Sequence, residues 1–290
     1  MLRKRQSLKV CPKLPSPITA LPFELDHGYV IPEHAHLEDQ LVYACLGVMT
    51  VRTSDGIWVV PTQRAVWIPA RTTHSLVMSG AVSMRTVYLR AGMVRALPRT
   101  CCVVNVSPLL QQLILQMCTH KSLSWRSKTQ AHLIDVFLDQ LQTVKTIPLQ
   151  VPTPHDVRAG RVAAALQRNL AGSDSLDATC REAGASKRTI ERLFQQETNL
   201  SLGKWRQQLR LMRSLELLAA GEKIANAALE AGYSTPSAFI AMFRRALGVT
   251  PGRYFGNGRE VKAARLPAER RNSPDRSEIL WFSRRHKRRR

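Results

Sequence analysis

The sequence lacks features that define several large classes of protein. Its six cysteines form no Cys-x-x-Cys pair and follow no regular spacing, which argues against a disulfide framework and against a zinc ribbon. No run of about 18 apolar residues occurs, and no apolar core of signal-peptide length follows the positive charges of the first residues. We therefore expect a cytoplasmic protein that has no membrane partner.

Acidic residues are scarce relative to basic ones. The chain has 43 Lys and Arg against 21 Asp and Glu, a formal net charge of +22. The residues after Gly256 hold 12 of the basic residues and 4 of the acidic ones, so +8 lies there and the rest of the chain is still basic. Such an excess is typical of proteins that bind a polyanion, which favours nucleic acid first and an anionic membrane second.

The length of 290 residues predicts two folded units with connecting or terminal segments. From Leu21 to about Arg90, short apolar or alternating runs are separated by Gly, Pro and charged residues, which is typical of closely spaced strands in a small barrel or sandwich. Residues 108–118 and 132–144 carry apolar residues at helical spacing and predict two amphipathic helices.

The second of these helices carries an apolar stripe that has two interpretations. Its members are Leu133, Val136, Phe137, Leu141 and Val144. The stripe either packs against the barrel or forms a seam between two copies of the chain, and the sequence leaves both open. A homodimer is the expected assembly.

Three prolines between Thr146 and His155 leave little that could anchor a regular element, which predicts a linker between two domains. The pattern after the linker is helical to about Phe255 and predicts seven helices that end near glycines. The residues beyond are polar and charge-dense, and they predict a disordered tail.

A short motif occurs twice in the helical region, as EAGAS at residues 182–186 and as EAGYS at residues 230–234. In each copy an apolar helix reaches a Gly, where the chain can turn with positive φ, and a Ser follows as the N-cap of the next helix. This is the plan of a helix-turn-helix, whose second helix lies in the DNA major groove. An ordinary bundle with a solvated basic face is the alternative, and two such copies in a basic chain argue against it.

The flanking sequence carries a family resemblance. The second copy lies within IANAALEAGYSTPSAFIAMFRRALGVTPGRYF, where Gly-Tyr-Ser precedes two spaced phenylalanines and a Gly-x-x-Pro. The first copy is followed by WRQQLRLMRSLELLAAG, a long joining helix. Over about a hundred residues the chain resembles the DNA-binding domain of AraC/XylS transcription regulators. The resemblance implies binding to duplex promoter DNA, with RNA polymerase as a further candidate partner.

Three residues depart from the pattern of that family. Asn199 stands where a glycine is common, Phe255 where an arginine is common, and Ala241 where members often present a base-reading side chain. The change at Ala241 leads us to expect that the second unit contacts phosphates and recognises DNA shape more than bases.

The family's reading positions in the first unit fall on Arg188, Glu191 and Arg192. An arginine can bind guanine through two hydrogen bonds, and a glutamate can accept one from cytosine. The full set of predicted DNA-contacting residues is Lys187, Arg188, Thr189, Glu191, Arg192, Gln195, Thr235, Ser237, Arg244 and Arg245.

The amino-terminal half resembles a cupin barrel of the kind that AraC-type regulators carry as a sensor. GYVIPEHAHLEDQLVYACLG matches the first cupin motif at His34 and His36, with Gln40 in place of the usual glutamate. PARTTH matches the second motif at His74, with Arg71 in place of a glycine. The resemblance implies that a small-molecule effector binds inside the barrel.

These histidines are candidate metal ligands. In a barrel, His34 and His36 at positions i and i+2 point to one face, and His74 on a neighbouring strand can converge with them. Three neutral imidazoles can hold zinc, iron, nickel or manganese, although the missing carboxylate argues against a catalytic iron site. The alternative is a metal-free pocket in which the histidines only form hydrogen bonds. A divalent ion is thus a candidate cofactor, and the sequence makes none certain.

Two other functions compete with transcription regulation. A cupin metalloenzyme with an accessory nucleic-acid-binding domain would need a redox metal and turnover of a small substrate, and the tandem repeat argues against it. A basic protein that coats membrane or RNA would explain the tail but neither the repeat nor the cupin motifs. We therefore expect a regulator and not an enzyme.

The predicted fold is an α+β multidomain chain with a cupin-like β-barrel, a helical dimerisation segment and an all-α domain of two helix-turn-helix units. The predicted boundaries are a leader at 1–20, the sensor barrel at 21–97, the helical dimerisation or packing segment at 98–145, the linker at 146–155, the DNA-binding domain at 156–256 and the basic tail at 257–290. Effector binding is expected to bias how the two units lie on a promoter, which requires different effector affinities in the two states.

Overall fold

The computed structural model describes residues 16–120, 122–147, 149–172 and 175–256. The strands within these ranges are β1 (Ile18–Leu25), β2 (Val30–His34), β3 (Glu38–Arg52), β4 (Gly56–Val60), β5 (Arg64–Ile68), β6 (His74–Arg90), β7 (Cys102–Asn105), β8 (Ser122–Leu123), β9 (Thr146–Ile147) and β10 (Gln150–Pro152). The helices are α1 (Pro108–His120), α2 (Lys128–Gln142), α3 (Val157–Arg168), α4 (Leu176–Glu182), α5 (Lys187–Thr198), α6 (Leu202–Ala219), α7 (Ile224–Glu230), α8 (Pro236–Leu247) and α9 (Pro251–Gly256). The predicted tail at 257–290 and most of the predicted leader lie outside the described residues.

The amino-terminal half forms one antiparallel sheet built on two long strands. β3 and β6 pair from Glu38 opposite Arg90 to Arg52 opposite Ser75, and irregularities in register between Ala44 and Val48 bend β3. β1 and β2 pair with β6, while β4 and β5 pair with β3. Nearly all of β3 is buried, because the barrel core covers one of its faces and helices cover the other. The predicted sheet-rich sensor fold is confirmed.

The sheet is larger than the range 21–97 that the sequence predicted. β1 already begins at Ile18, and β7, β9 and β10 add edge pairs from residues beyond 97. These later strands are two to four residues long, so they carry too little alternation to be recognised before their partners are known.

Helices α1 and α2 pack against the outside of the barrel. Ile134, Phe137 and Leu141 of α2 are fully buried in a core that includes Leu110 of α1. Within the predicted stripe, Val136 does not pack against the barrel, since it is 42% exposed. The helix is rotated slightly, so that Ile134, Phe137 and Leu141 face inward. The sequence did not distinguish this face, because two adjacent apolar faces have the same periodicity.

The prediction that Thr146 to His155 contains no regular element was wrong. β9 pairs with β7 and β10 pairs with β4, so this segment adds two strands to the barrel. Leu149 and Val151 are buried there. The free energy gained by their burial offsets the loss of the backbone hydrogen bond that Pro152 cannot donate at the sheet edge.

The carboxy-terminal half contains seven helices within the described ranges, as predicted. Side-chain caps start several of them: Asp156 accepts from the amides of Arg158 and Ala159 at the start of α3, and Ser201 accepts from Lys204 at the start of α6. Trp205 of α6 and Phe194 of α5 are fully buried with ring centroids 5.2 Å apart. None of the helices described is long and apolar enough to cross a membrane.

The joining helix α6 also lies against the barrel. Thr50 of β3 donates to the Glu216 carboxylate at 2.6 Å, and the Trp205 indole donates to the Pro152 carbonyl at 2.8 Å. Tyr254 of α9 donates to the Thr62 carbonyl at 3.0 Å. The helical half is therefore docked on the barrel by α6 and α9, and it does not hang from a free linker.

Candidate DNA-binding surface and histidine cluster

The first helix-turn-helix unit is formed by α4 and α5. Ser186 caps α5, because its hydroxyl accepts from the Thr189 amide at 3.3 Å, as the sequence predicted. Ile190, Leu193 and Phe194 are buried against α3 and α6 and fix which face of α5 turns outward.

The outward face of α5 carries most of the predicted DNA-contacting side chains of this unit. Arg188, Glu191, Arg192 and Gln195 are exposed, and they recur at the three- and four-residue spacing of one helix face. Within the described part of the chain, Arg192 makes one side-chain hydrogen bond, of 3.3 Å, to Gln196. These groups are thus free to exchange water for a base edge or phosphate without breaking internal structure.

Two predicted contacts in the first unit are already engaged within the protein. Lys187 lies 3.8 Å from the carboxylate of Asp177 on α4, and the Thr189 hydroxyl lies 3.0 Å from that of Ser186. Both side chains are half-buried, and their contact with DNA stays a prediction.

The second unit is formed by α7 and α8, and its cap differs from the prediction. Thr235, not Ser234, caps α8, since its hydroxyl accepts from the Ala238 amide at 3.2 Å. Pro236 occupies the first helical position, where its fixed φ suits the helix start, and this places the cap one residue later. Ser237 lies exposed at the start of α8, and Arg244 and Arg245 lie exposed in its last turn.

The aromatic residues of the family signature form the core of the second unit. Phe239 and Phe243 are fully buried with ring centroids 5.7 Å apart, and Tyr254 lies 5.8 Å from Phe243. Gly232 has φ +82°, and a Cβ there would lie 2.5 Å from the Leu170 carbonyl oxygen, so only glycine fits this turn.

Two of the departures from the family pattern have a structural explanation. Asn199 ends α5 with φ +56°, a left-handed conformation that asparagine tolerates better than most residues, so it replaces the usual glycine. Phe255 packs its ring 5.2 Å from Tyr254. Ala241 is exposed on α8 and presents no polar group.

One interaction between the joining helix and the second unit was not anticipated from the sequence. The Arg210 guanidinium on α6 lies over the Tyr233 ring, 5.3 Å from its centroid, and so ties the joining helix to the second turn. Burial and the nearby Arg206 lower the pKa of Arg210. The sequence feature that could have indicated this contact is the recurrence of arginine one turn apart in WRQQLR, at Arg206 and Arg210.

The three predicted histidines converge in the barrel. One ring nitrogen from each of His34, His36 and His74 lies within 4.8 Å of the others, so the three form a group that could hold a metal ion. Register places His34 opposite His74 on β2 and β6. The sequence therefore located this cluster correctly.

Hydrogen bonds orient the rings. Nδ1 of His34 donates to the Pro32 carbonyl and Nδ1 of His74 to the Thr72 carbonyl, both at 2.8 Å. Backbone carbonyls commonly hold metal-binding histidines in this way, which directs Nε2 inward. The Nε2 of His74 is buried and has no hydrogen-bond partner among the residues that the structure describes.

Gln40 contacts the third ring directly. Nδ1 of His36 lies 2.9 Å from the Glu38 carbonyl oxygen and its Nε2 lies 2.9 Å from Gln40 Oε1, and a neutral ring donates to only one of these two acceptors. Gln40 Nε2 donates in turn to Thr86 at 2.9 Å. An ion held by His36 Nε2 would take the place of its contact with Gln40.

The electrostatic environment favours neutral histidines. Burial lowers the pKa of His34 and of His36. Burial, with the neighbouring His34 and His36, lowers the pKa of His74 to about 3. The rings therefore stay unprotonated at neutral pH, which is the state that binds a metal.

A sensor barrel joined to two helix-turn-helix units defines a DNA-binding regulator. Family models for an AraC-like ligand binding domain and for a helix-turn-helix domain match residues 21–137 and 179–257. The HTH-type transcriptional regulator NimR of Escherichia coli is 31% identical over 223 residues, which are 77% of this chain and 81% of NimR. The chain belongs to the AraC family of transcription regulators, with an effector-binding domain and a DNA-binding domain.

Other similar proteins match less of the chain or match it less closely. The HTH-type transcriptional activator RhaR of Mannheimia succiniciproducens is 32% identical over 91 residues, 31% of this chain and 33% of that protein. The crystal structure of ToxT from Vibrio cholerae O395 covers 83% of this chain and 97% of its own, with a TM-score of 0.36 and 11% identity.

Proposed function

We propose that the first unit reads bases in a promoter through Arg188, Glu191, Arg192 and Gln195. The observation that carries this proposal is their shared exposure on α5, opposite a face that Ile190 and Phe194 bury. A helix in the major groove needs such a division between a polar outward face and an apolar inward one.

The second unit positions the protein on the phosphate backbone in this proposal. Its outward face offers Ser237 near the start of α8 and Arg244 and Arg245 near the end, with Ala241 between them. Contacts of this kind hold the protein in register but carry little sequence information.

The test is footprinting of the full-length protein on the DNA that flanks its own gene. We expect a protected site covering two successive major-groove segments, about 10 base pairs apart. Protection of a single groove segment would contradict the use of two units. Equal affinity for that DNA and for random DNA would contradict sequence-specific regulation.

The assembly that we propose is a homodimer formed through α1 and α2. Leu109 of α1 is 51% exposed and Val136 of α2 is 42% exposed, although the opposite faces of both helices are buried in the barrel. Apolar residues on the outer face of an already packed helix pair favour a partner of the same kind. The proposal includes RNA polymerase as a further partner. In this proposal the protein acts at promoters in the cytoplasm.

The histidine cluster fits a divalent ion, and we propose it as a metal site. His34, His36 and His74 would hold the ion, and the unpartnered Nε2 of His74 supports this assignment. The ion would supply a Lewis-acidic point for an oxygen or nitrogen of the effector. The proposal includes no turnover, because the chain belongs to a family of transcription regulators.

A further inference from the structure

The turn of the second helix-turn-helix unit lies directly against the elements that support the first. A Cβ on Gly232 would lie 2.5 Å from the Leu170 carbonyl oxygen and 3.0 Å from a terminal nitrogen of the Arg210 guanidinium. Leu170 follows α3, which packs against α4 and α5, and Arg210 belongs to the joining helix α6. The backbone of the second turn is therefore held between the end of α3 and the side chain of Arg210.

Arg210 also contacts the ring that follows this glycine. Its guanidinium carbon lies 5.3 Å from the centroid of the Tyr233 ring, within the distance of a cation–π interaction. The Tyr233 ring in turn packs against Phe239 of α8, with centroids 5.6 Å apart. A continuous set of contacts thus runs from α6 to the helix that carries the outward residues of the second unit.

The polar groups of this contact have no other role within the described part of the chain. Nε of Arg210 and the hydroxyl of Tyr233 are buried, and neither has a hydrogen-bond partner among the described residues. Burial of a cation is unfavourable unless something compensates for the lost water, and here the face of the ring does so. The position of the guanidinium therefore depends on the ring.

The same joining helix positions α5 of the first unit. Trp205 lies five residues before Arg210, about 7.5 Å along α6 at 1.5 Å per residue. It packs edge to face against Phe194 of α5, with centroids 5.2 Å apart, and both rings are fully buried. The separation of α5 and α8 thus depends on one contact at Trp205 and another at Arg210.

We propose that Arg210 is a positioning residue that fixes α8 relative to α5 and so sets the separation of DNA segments that the protein accepts. Each base pair added between two segments moves the second by about 3.4 Å and rotates it by about 35° around the duplex. A rigid pair of helices fits one separation, whereas a loosened pair adapts to neighbouring ones at lower cost. This inference rests on the proposed function, because it concerns how two units share one DNA site.

The first test measures the two helices without DNA, so its result does not depend on the proposed function. Spin labels are placed at Gln196 of α5 and Ala246 of α8, which are exposed, through a ketone-bearing amino acid that leaves the cysteines unlabelled. Double electron–electron resonance on the full-length protein should give a narrow distance distribution in wild type and a broader one in Arg210→Met. Equal widths in the two proteins would overturn the positioning role.

Arg206→Met is the matched control. Arg206 is half-buried on the same helix, one turn before Arg210, and lines a cavity with Thr179 and Glu182 of α4. Its replacement removes the same charge and leaves the contact with Tyr233, so the distribution should stay narrow. Broadening in both variants would show a general loss of order in α6 and would contradict a specific role for Arg210.

Two replacements of Tyr233 test the other side of the contact and serve if Arg210→Met does not fold. Tyr233→Phe keeps the ring and removes a hydroxyl that has no partner among the described residues, so it should keep the narrow distribution. Tyr233→Leu removes the ring and should broaden the distribution as Arg210→Met does. A narrow distribution in Tyr233→Leu would contradict the contact.

The second test measures the separation of DNA segments that the protein accepts. Fluorescence anisotropy compares the footprinted DNA with derivatives that have one base pair inserted or deleted between the protected segments. We expect wild type to bind both derivatives more weakly, and Arg210→Met to reduce that ratio of Kd values about fivefold to tenfold, the size of a half-buried cation–π contact. A purely structural defect would weaken binding to all three DNAs equally and leave the ratio unchanged.

The outcomes separate this inference from the proposed function. An unchanged ratio in Arg210→Met, or a wild type that binds all three DNAs equally well but random DNA poorly, refutes the role of Arg210 alone. A wild type that binds the footprinted DNA no better than random DNA refutes the proposed function, and the distance measurement then still decides whether Arg210 holds the two helices.

Discussion

Replacing Arg192 tests base reading at a single side chain. Among the residues that the structure describes, its exposed guanidinium bonds to Gln196 alone, so Arg192→Ala should change the free energy of unfolding by less than about 0.5 kcal/mol. If Arg192 binds a guanine through two hydrogen bonds, its loss costs about 1 to 3 kcal/mol at the preferred site. That is a rise of about 5-fold to 150-fold in Kd.

The assay is a fluorescence-anisotropy titration of the preferred site and of sites changed at single base pairs. Arg181→Ala is the matched control, because Arg181 is exposed on α4 and carries the same charge away from α5. We expect Arg192→Ala to lose discrimination at one base pair and Arg181→Ala to keep it. A uniform loss on all sequences, including random DNA, would show that Arg192 contacts phosphate and would refute the base-reading role.

Three further predictions follow from other parts of the chain. The Leu109→Asp, Val136→Asp variant should sediment as a monomer at concentrations where wild type is dimeric, and a folded wild type that is monomeric at high micromolar concentration would contradict the interface. His74→Ala should remove the metal that elemental analysis finds in the purified protein, while wild type with no stoichiometric metal would favour a pocket of hydrogen-bonded histidines. Truncation after Gly256 should weaken binding to random DNA and to the preferred site by similar factors. It should also flatten the salt dependence, because each lost phosphate contact removes about 0.9 from the slope of the logarithm of affinity against the logarithm of salt concentration. A truncation that changed the ranking of sites would give the tail a role in recognition.

The local elements of the helical half were predictable because short-range rules determine them. α4 and α7 each end within two residues of the glycine that the motif predicted, and α5 begins after its predicted cap Ser186, since glycines, caps and apolar spacing act within a few residues. The choice of Thr235 over Ser234 as a cap was not predictable in the same way. Two adjacent hydroxyl residues satisfy the same rule, and the position of Pro236 decides between them.

The strands β9 and β10 could not be predicted, because their stability comes from partners distant in sequence. Gln150 pairs opposite Trp58, which is 92 residues away, so the pairing leaves no local pattern in the sequence. Which face of α2 turns inward could not be predicted for a similar reason. Val136 and Ile134 lie on two apolar faces of the helix, and contact with the barrel selects the rotation that buries Ile134.

The sequence by itself determined the two helix-turn-helix units, the polar face of α5 and the convergence of His34, His36 and His74, because each depends on periodicity or on a short motif. Only the tertiary structure decided that α6 docks on the barrel through Thr50 and Glu216, and that α9 docks there through Tyr254 and Thr62. Those contacts join residues more than a hundred positions apart, and no local spacing encodes a distance that arises when two domains pack.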